Sequence, residues 1–262
     1  MHQPLSYIDP NANIARNVVI EPFVTIEKDV IIGEGTWIGS NVTIMEGARI
    51  GKNCKIFPGA VISAIPQDLK FEGEKSIVII GDNCTIRECA TINRGTSASG
   101  KTITIIGKNC LIMAYSHIAH DCIIGENCVI VNSVALGGHV EIGDFAIIGG
   151  LTAIHQFVSI GKHVMVSGGS LVRKDIPPYV KAAREPLSFV GINSIGLRRR
   201  GFKDDKIQEI QDIFRILYQS NNNNTQAIFK IETEISVSKE RDEIIAFIQS
   251  SKRGIMRGYN QK

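Results

Sequence analysis

Residues 117–122 read HIAHDC, two histidines and an aspartate within six positions. An imidazole that is neutral near pH 7 takes a proton from a hydroxyl, and an adjacent carboxylate fixes its tautomer and stabilises its charged form. Imidazoles gathered in threes also bind zinc. Which chemistry these side chains serve depends on where the chain aims them, and a repeat sets that aim.

Ile8, Ile14, Ile20, Ile26, Ile32, Ile38, Ile44, Ile50, Ile56 and Ile62 lie six apart. The series resumes at Ile80, Ile86 and Ile92, breaks over RGTSASGKT, and continues from Ile106 to Val166 and Val172, giving 25 hexads. The fourth residue after each aliphatic one is small or β-branched, as at Val24, Ala60 and Ala146, and the third is often Asn or Gly, the types that tolerate a left-handed turn. A period of six keeps no helical face buried, so each hexad is a short strand plus a corner. Three hexads close one triangular coil, and coils stack at the strand spacing of ~4.8 Å. The repeat resembles that of the hexapeptide-repeat acyltransferases, whose fold is an all-β left-handed parallel β-helix; the handedness is taken from that resemblance.

Residues 18 apart therefore stack. His120, Gly138 and Gln156 form one column; Ala119, Gly137 and His155 flank it on one side, and Asp121, His139 and Phe157 on the other. Four of the six histidines thus gather on one edge of the prism, within about three coils or ~10–15 Å.

Two departures from the repeat stand out. AIPQDLKFEGEKS breaks it at about 64–78 and must loop out of the coil. At DIPPYV, Pro177 and Pro178 remove backbone donors and stop strand stacking. The solenoid is thus expected over 1–190. The pattern then turns helical through LRRRGF, DDKIQEIQDIFRILYQS, TQAIFKIETEI and KERDEIIAFIQSS, with NNNN (221–224) as a turn, so 191–262 is expected to be a small α-helical C-terminal domain capping the open end.

Composition excludes several classes. A net charge of +3 is too weak to argue for nucleic acid, and no stretch approaches the ~18 apolar residues of a membrane span. No basic region followed by an apolar stretch opens the chain, so a cytoplasmic location is expected. Cys54, Cys84, Cys110, Cys122 and Cys128 all take the small inward position, with only Cys89 one residue off phase, so they read as reduced core fillers.

HIAHDC, GGHVEIGDFAIIGGLTAIHQF, HVMVSGG, DIPPYV, PQDLKF and GLRRRGF together resemble the UDP-N-acetylglucosamine O-acyltransferases, which take the first step of lipid A synthesis. The resemblance covers essentially the whole chain. It implies transfer of a long 3-hydroxyacyl group from acyl carrier protein to the sugar 3-hydroxyl, with His120 as general base, Asp121 as its supporting carboxylate and Gly138 as an oxyanion donor. Asp68, Lys70, His117, His139, His155 and Gln156 match residues lining the nucleotide-sugar and pantetheine pocket, and Asn193, Arg199 and Arg200 match nucleotide or carrier contacts. Gly168 matches the acyl-chain ruler. Where the family commonly has an acidic residue two after the asparagine, this chain has Ile195. No metal and no cofactor is expected, the donor being the phosphopantetheine thioester of the carrier, and a homotrimer is implied. The alternatives are an N-acyltransferase of the same pathway, which carries an extra N-terminal domain where the hexads here begin at Ile8; a carbonic anhydrase-like zinc enzyme, whose H-x-x-x-x-H pair differs from the H-x-x-H here; and a binding solenoid without catalysis.

Overall fold

A computed structural model describes residues 5–97, 100–219 and 223–258. Each of the 25 aliphatic positions of the repeat sits in its own short strand, from Tyr7–Ile8 to Leu171–Val172. The strands form three parallel faces of a left-handed β-helix, with consecutive strands passing from the first face to the second and third and back. The inward ladder is dry: Ile26, Ile44, Ile62, Ile92 and Ile118 are fully buried, and so are the small partners Ala60, Ala90 and Ala146.

The third residue of the hexad takes the left-handed conformation, as the Asn and Gly pattern predicts at Asn41, Asn83 and Gly59. Larger residues take it too, among them Asp121 (φ 59°), His139 (φ 61°) and Phe157 (φ 64°). That conformation costs a non-glycine residue roughly 1–2 kcal/mol. A hydrogen bond to the coil below accompanies it at each of these corners: the His139 N–H donates to the His120 carbonyl at 3.0 Å, and the Phe157 N–H to the Gly138 carbonyl at 3.0 Å.

The two interruptions of the repeat occupy one corner. Ile62 and Ile80 lie on the first and second faces in successive strands, as do Ile92 and Ile106. Residues 65–76, and the chain between Asn93 and Ile103 as far as it is described, therefore both leave the coil where the first face turns into the second. The next such corner upward is 119–122, the corner of HIAHDC, so both loops lie directly beneath it. The register confirms the layering, since Val61 pairs with Thr91, Thr91 with His117, and His117 with Ala135.

The inward cysteines are buried and unbridged, and Cys89 is exposed at a left-handed corner. Each buried thiol donates to a glycine carbonyl of the coil above, Cys84 to Gly107 at 3.0 Å and Cys122 to Gly137 at 3.2 Å. Burial pushes the Cys122 thiol up to about 12, which keeps it a neutral filler.

Beyond the last hexad the third face continues. Val180–Ala183 pairs with the strand at Met165, Ser188–Ile192 folds back antiparallel onto it, and Arg257–Gly258 adds to that, so residue 190 lies inside a strand. Four helices follow: α1 (Ser194–Arg199), α2 (Asp204–Gln219), α3 (Asn224–Glu234) and α4 (Lys239–Ser250). On α2 the periodic Ile207, Ile210, Ile213, Phe214 and Leu217 are buried, as an amphipathic helix requires. The turn at NNNN lies partly outside the described residues; Asn223 caps α3 with a reciprocal bond to Gln226.

His163 joins tail to solenoid. Its ring stacks on Phe145 (centroids 4.9 Å apart) and on Tyr179 (5.6 Å), with Phe202 edge-on at 5.2 Å, and among the described residues its Nδ1 has no partner. Burial first, and the nearby Arg200 second, push its pKa down to about 4; Lys162 acts in the same direction and Glu243 and Asp144 oppose it. Unfolding returns the ring toward its ordinary value near 6.5, so the unfolded chain binds the extra proton between those limits. This contribution is complete above pH 6.5 and is lost as pH falls toward 4. Denaturation midpoints measured across that window should drop, and His163→Phe, which keeps the stack without the proton, should flatten the drop; an equally steep fall in that variant would assign it elsewhere.

Candidate active site

Asp121 is the buried anchor of the HIAHDC corner. Its side chain is 1% exposed, and its Oδ2 lies 2.8 Å from Nδ1 of His120. A carboxylate only accepts, so Nδ1 carries the hydrogen and the neutral ring leaves Nε2 bare. Nε2 faces outward toward Asp68 Oδ2 at 3.8 Å, too far for a hydrogen bond. Asp68 arrives there on the 65–76 loop, which sends its carboxylate back up over the corner.

One coil above, Gly138 closes on the ring. A Cβ built at Gly138 would lie 2.5 Å from Cε1 and 2.6 Å from Nε2 of His120, so the residue must lack one. Among the described residues nothing accepts from the Gly138 N–H, whereas the amides on either side donate to Ile154 and His120 carbonyls. A bare imidazole nitrogen and a glycine with an uncommitted backbone donor thus stand one coil apart on one edge, an arrangement suited to a reacting hydroxyl and an oxyanion.

His139 completes the edge. Its ring meets that of His120 edge-on at 5.1 Å and stacks on Phe157 at 4.4 Å, with Nε2 at 3.9 Å from Asp121 Oδ2. Burial lowers its pKa, more than the Asp121 charge raises it. His117, in the strand His117–Ile118, bonds Thr91 Oγ1 through Nδ1 at 2.8 Å, and burial, then the proximity of His120, lowers its pKa. Both rings are therefore neutral at pH 7.

Other expected residues lie farther out. The Lys70 N–H donates to Asp68 Oδ1 at 3.0 Å while its side chain is exposed. His155 is exposed, with Nδ1 on the carbonyl of Gln156 at 3.1 Å. Asn193 is buried on a different corner, where Nδ2 donates to the His163 carbonyl at 2.9 Å and Oδ1 caps α1 through the Gly196 N–H. Arg200 turns inward, donating to the carbonyls of Phe145 and Gly196, and Arg198 pairs with Asp204 at 2.8 Å; Arg199 is exposed. Gly168 lies between the strands Met165–Val166 and Leu171–Val172, at the corner where the third face turns into the first. It therefore stands across the first face from His120 rather than above it, a displacement that counting along the axis does not register.

Two residues that touch this site went unread in the sequence: Thr96 and Thr104. Thr96 donates to the Asp121 carboxylate, and Thr104 Oγ1 accepts from the Asp121 N–H at 2.8 Å. The signal was the break RGTSASGKT, which contains Thr96 and ends two residues before Thr104.

His120, Asp121 and His139 offer ligand atoms within 4.8 Å of one another, so a cation is the competing use of this edge. The Nδ1 and Oδ2 atoms that face each other there are already hydrogen-bonded, which makes the group a dyad with a neighbour rather than a convergent ligand set.

A family model described as UDP N-acetylglucosamine O-acyltransferase, domain 2, matches residues 175–256, and one for bacterial transferase hexapeptides matches 103–138. A third, described as a GMPPB C-terminal domain, matches 2–105. The chain is 52% identical over 200 residues to an acyl-[acyl-carrier-protein]–UDP-N-acetylglucosamine O-acyltransferase of Trichlorobacter lovleyi, covering 75% of this chain and 76% of that one. It is 56% identical over 197 residues to the protein of the same name from Aquifex aeolicus, covering 75% of each. Among solved structures, a UDP-N-acetylglucosamine acyltransferase from Bacteroides fragilis superposes with a TM-score of 0.96 at 50% identity, over 98% of this chain and 100% of that one. The Arabidopsis UDP-N-acetylglucosamine acyltransferase gives 0.86 at 31% identity, over 98% and 100%.

Proposed function

The chain belongs to the UDP-N-acetylglucosamine O-acyltransferases, and from that premise we propose that it moves a long 3-hydroxyacyl group from acyl carrier protein to the 3-hydroxyl of UDP-N-acetylglucosamine with His120 as the base. The reaction is the first step of lipid A synthesis. The observation that carries the mechanism is the His120 Nδ1 to Asp121 bond at 2.8 Å, which leaves Nε2 bare and turned to the side where Gly138 closes on the ring.

Nε2 takes the proton of the 3-hydroxyl as the sugar oxygen attacks the thioester carbonyl. The Gly138 N–H stabilises the tetrahedral oxyanion, and Asp121 stabilises the imidazolium. Collapse breaks the C–S bond, and the imidazolium returns its proton to the departing pantetheine sulfur. Asp68, Lys70, His117, His139, His155 and Gln156 line the acceptor and pantetheine pocket; Arg199 serves the nucleotide or carrier, and Asn193 and Arg200, bonded to Gly196 within the protein, hold the helix α1 that presents it. The acidic carrier docks near Arg199 and the basic tail residues Lys252, Arg253 and Arg257. The chain acts in the cytoplasm as a homotrimer; exposed Tyr115, Leu151 and Leu171 along the solenoid supply apolar surface for contact between subunits. Among the described residues no helix is long and apolar enough to cross a membrane.

Purified protein given UDP-N-acetylglucosamine and 3-hydroxyacyl carrier proteins of several lengths should yield an O-acylated nucleotide sugar, at the same rate with and without a chelator. Loss of activity on chelation, restored by zinc, would make the His120, Asp121 and His139 cluster a metal site.

The acyl chain is proposed to run from His120 across the first face, where the outward side chains Ala135 and Ala153 are small and exposed, toward Gly168. That rise of 48 residues is about 2.7 coils or ~13 Å. A Cβ at Gly168 would lie 3.0 Å from the Gly150 carbonyl oxygen, a tight contact with backbone that must give by a few tenths of an ångström. A thermal melt therefore accompanies Gly168→Met, which should turn preference toward shorter donors because each methylene denied its contact forfeits ~0.8 kcal/mol. Equal loss with donors of every length would make Gly168 a backbone requirement instead.

A further inference from the structure

We infer that Thr96 is the positioning residue of the catalytic dyad: its hydroxyl and its backbone N–H lock the Asp121 carboxylate into the orientation that aims His120. The inference deepens the reading of His120 and Asp121 given above and rests on it. Thr96 Oγ1 donates to Asp121 Oδ2 at 2.7 Å, and the Thr96 N–H lies 3.1 Å from each carboxylate oxygen. Oδ2 is also the oxygen that His120 Nδ1 meets, so one hydroxyl and one imidazole share an acceptor. Thr96 is 1% exposed and Asp121 4%, so water takes little part in setting this carboxylate's orientation.

The fold explains why a dedicated residue is required. At an uninterrupted corner the left-handed residue's N–H reaches a backbone carbonyl of the coil below, as at His139. Beneath Asp121 the coil is opened by the loop that follows Asn93, and the Asp121 N–H goes instead to Thr104 Oγ1. Two threonines thus replace a generic backbone contact: Thr104 Oγ1 accepts from the Asp121 N–H, and Thr96 donates its hydroxyl and its backbone N–H to the carboxylate. The loop is itself held. The Ser97 N–H donates to Glu74 Oε1 at 2.7 Å, the Arg94 N–H donates to the Ala64 carbonyl at 3.0 Å, and Asn93 Nδ2 donates to the Ile65 carbonyl at 3.2 Å. The lower insertion therefore braces the upper one, and the upper one ends at Asp121.

Without the hydroxyl, the carboxylate keeps the Thr96 N–H and stays ionised, but it pivots more freely and shares less of its charge. The imidazole loses its fixed aim, which lowers turnover, and the less-shared charge favours the imidazolium, which raises the apparent pKa of the base.

The test is Thr96→Val, which keeps shape and backbone, beside Thr96→Ser, which keeps the hydroxyl. Thr96→Val should lower kcat by about tenfold to a hundredfold, the usual loss for a group that orients a reacting one, with KM for the nucleotide sugar unchanged. The acid limb of its pH–rate profile should move to higher pH. Thr96→Ser should restore most of the rate, and Thr96→Val should cost nothing further in an Asp121→Asn background. A Thr96→Val enzyme with normal kcat and an unmoved acid limb overturns the inference, as does equal loss in the Val and Ser variants with a lowered Tm. His120→Ala separates the two levels: if it is inactive while Thr96→Val is normal, only the role of Thr96 falls; if it is active, the reading of the dyad falls with it.

Discussion

Alanine at position 120 lowers kcat by about 10²–10⁴-fold, the range that removal of a positioned general base gives. The expectation rests on geometry rather than on residue type, since His139 and His117 stand close by. His139 approaches Asp121 only to 3.9 Å and has its ring stacked on Phe157, and His117 spends Nδ1 on Thr91, so neither is held as His120 is. The substitution removes a ring that is largely buried but belongs to no part of the inward ladder, so the solenoid should keep its Tm. Steady-state kinetics beside a thermal melt decide the matter. Near-normal turnover in a folded protein would move the base to another histidine.

Alanine at position 138 should be nearly as damaging, through sterics alone. The added methyl carbon would sit 2.5–2.6 Å from two atoms of the His120 ring, distances that contacts of this kind do not tolerate, so the ring must swing away. Swinging it stretches the 2.8 Å bond to Asp121 and carries Nε2 off the line of the hydroxyl. A misplacement of about 1 Å costs on the order of 10²-fold in rate, so kcat should fall by at least that much. The backbone N–H survives the change, so the loss reports the fit of the ring and not the removal of the oxyanion donor. An alanine variant of unchanged kcat would mean that the imidazole is free to move without consequence, which is incompatible with its role as a fixed base.

The solenoid was legible because its period is enforced by burial: one misplaced aliphatic residue opens the core, so Ile26 and Ile148, far apart in sequence, obey one rule. The histidine edge followed from the same period, because His120, Gly138 and Gln156 are separated by whole coils with no interruption between them. The arithmetic failed where the coil opens. Ile62 and Ile80 are 18 apart, the same as one full coil, so the sequence preserves phase across an insertion that moves the chain by only one face. That coincidence hid the fact that both loops leave from the corner beneath His120, and with it the part played by Thr96. The 48 residues from His120 to Gly168 give a height along the axis but not a corner, and only the strand order puts Gly168 across the first face. Asn193 shows a further limit: its type suits ligand contact and helix capping equally, and only the structure shows its side chain spent on Gly196 and His163. His163 and Phe145 are 18 apart, so the period stacks their rings, but Tyr179 and Phe202, which complete the cluster, lie beyond the last hexad where the period no longer places them.

If a bare imidazole nitrogen on this edge drives acyl transfer to one sugar hydroxyl, the product records it. The wild-type protein, given UDP-N-acetylglucosamine and a 3-hydroxyacyl carrier protein, should yield a product that mass and proton NMR show to carry a single added 3-hydroxyacyl group, with the sugar H3 moved downfield by ester formation and the acetamide intact. An acyl group on nitrogen or at another hydroxyl, or no acylated sugar at all, would contradict this expectation.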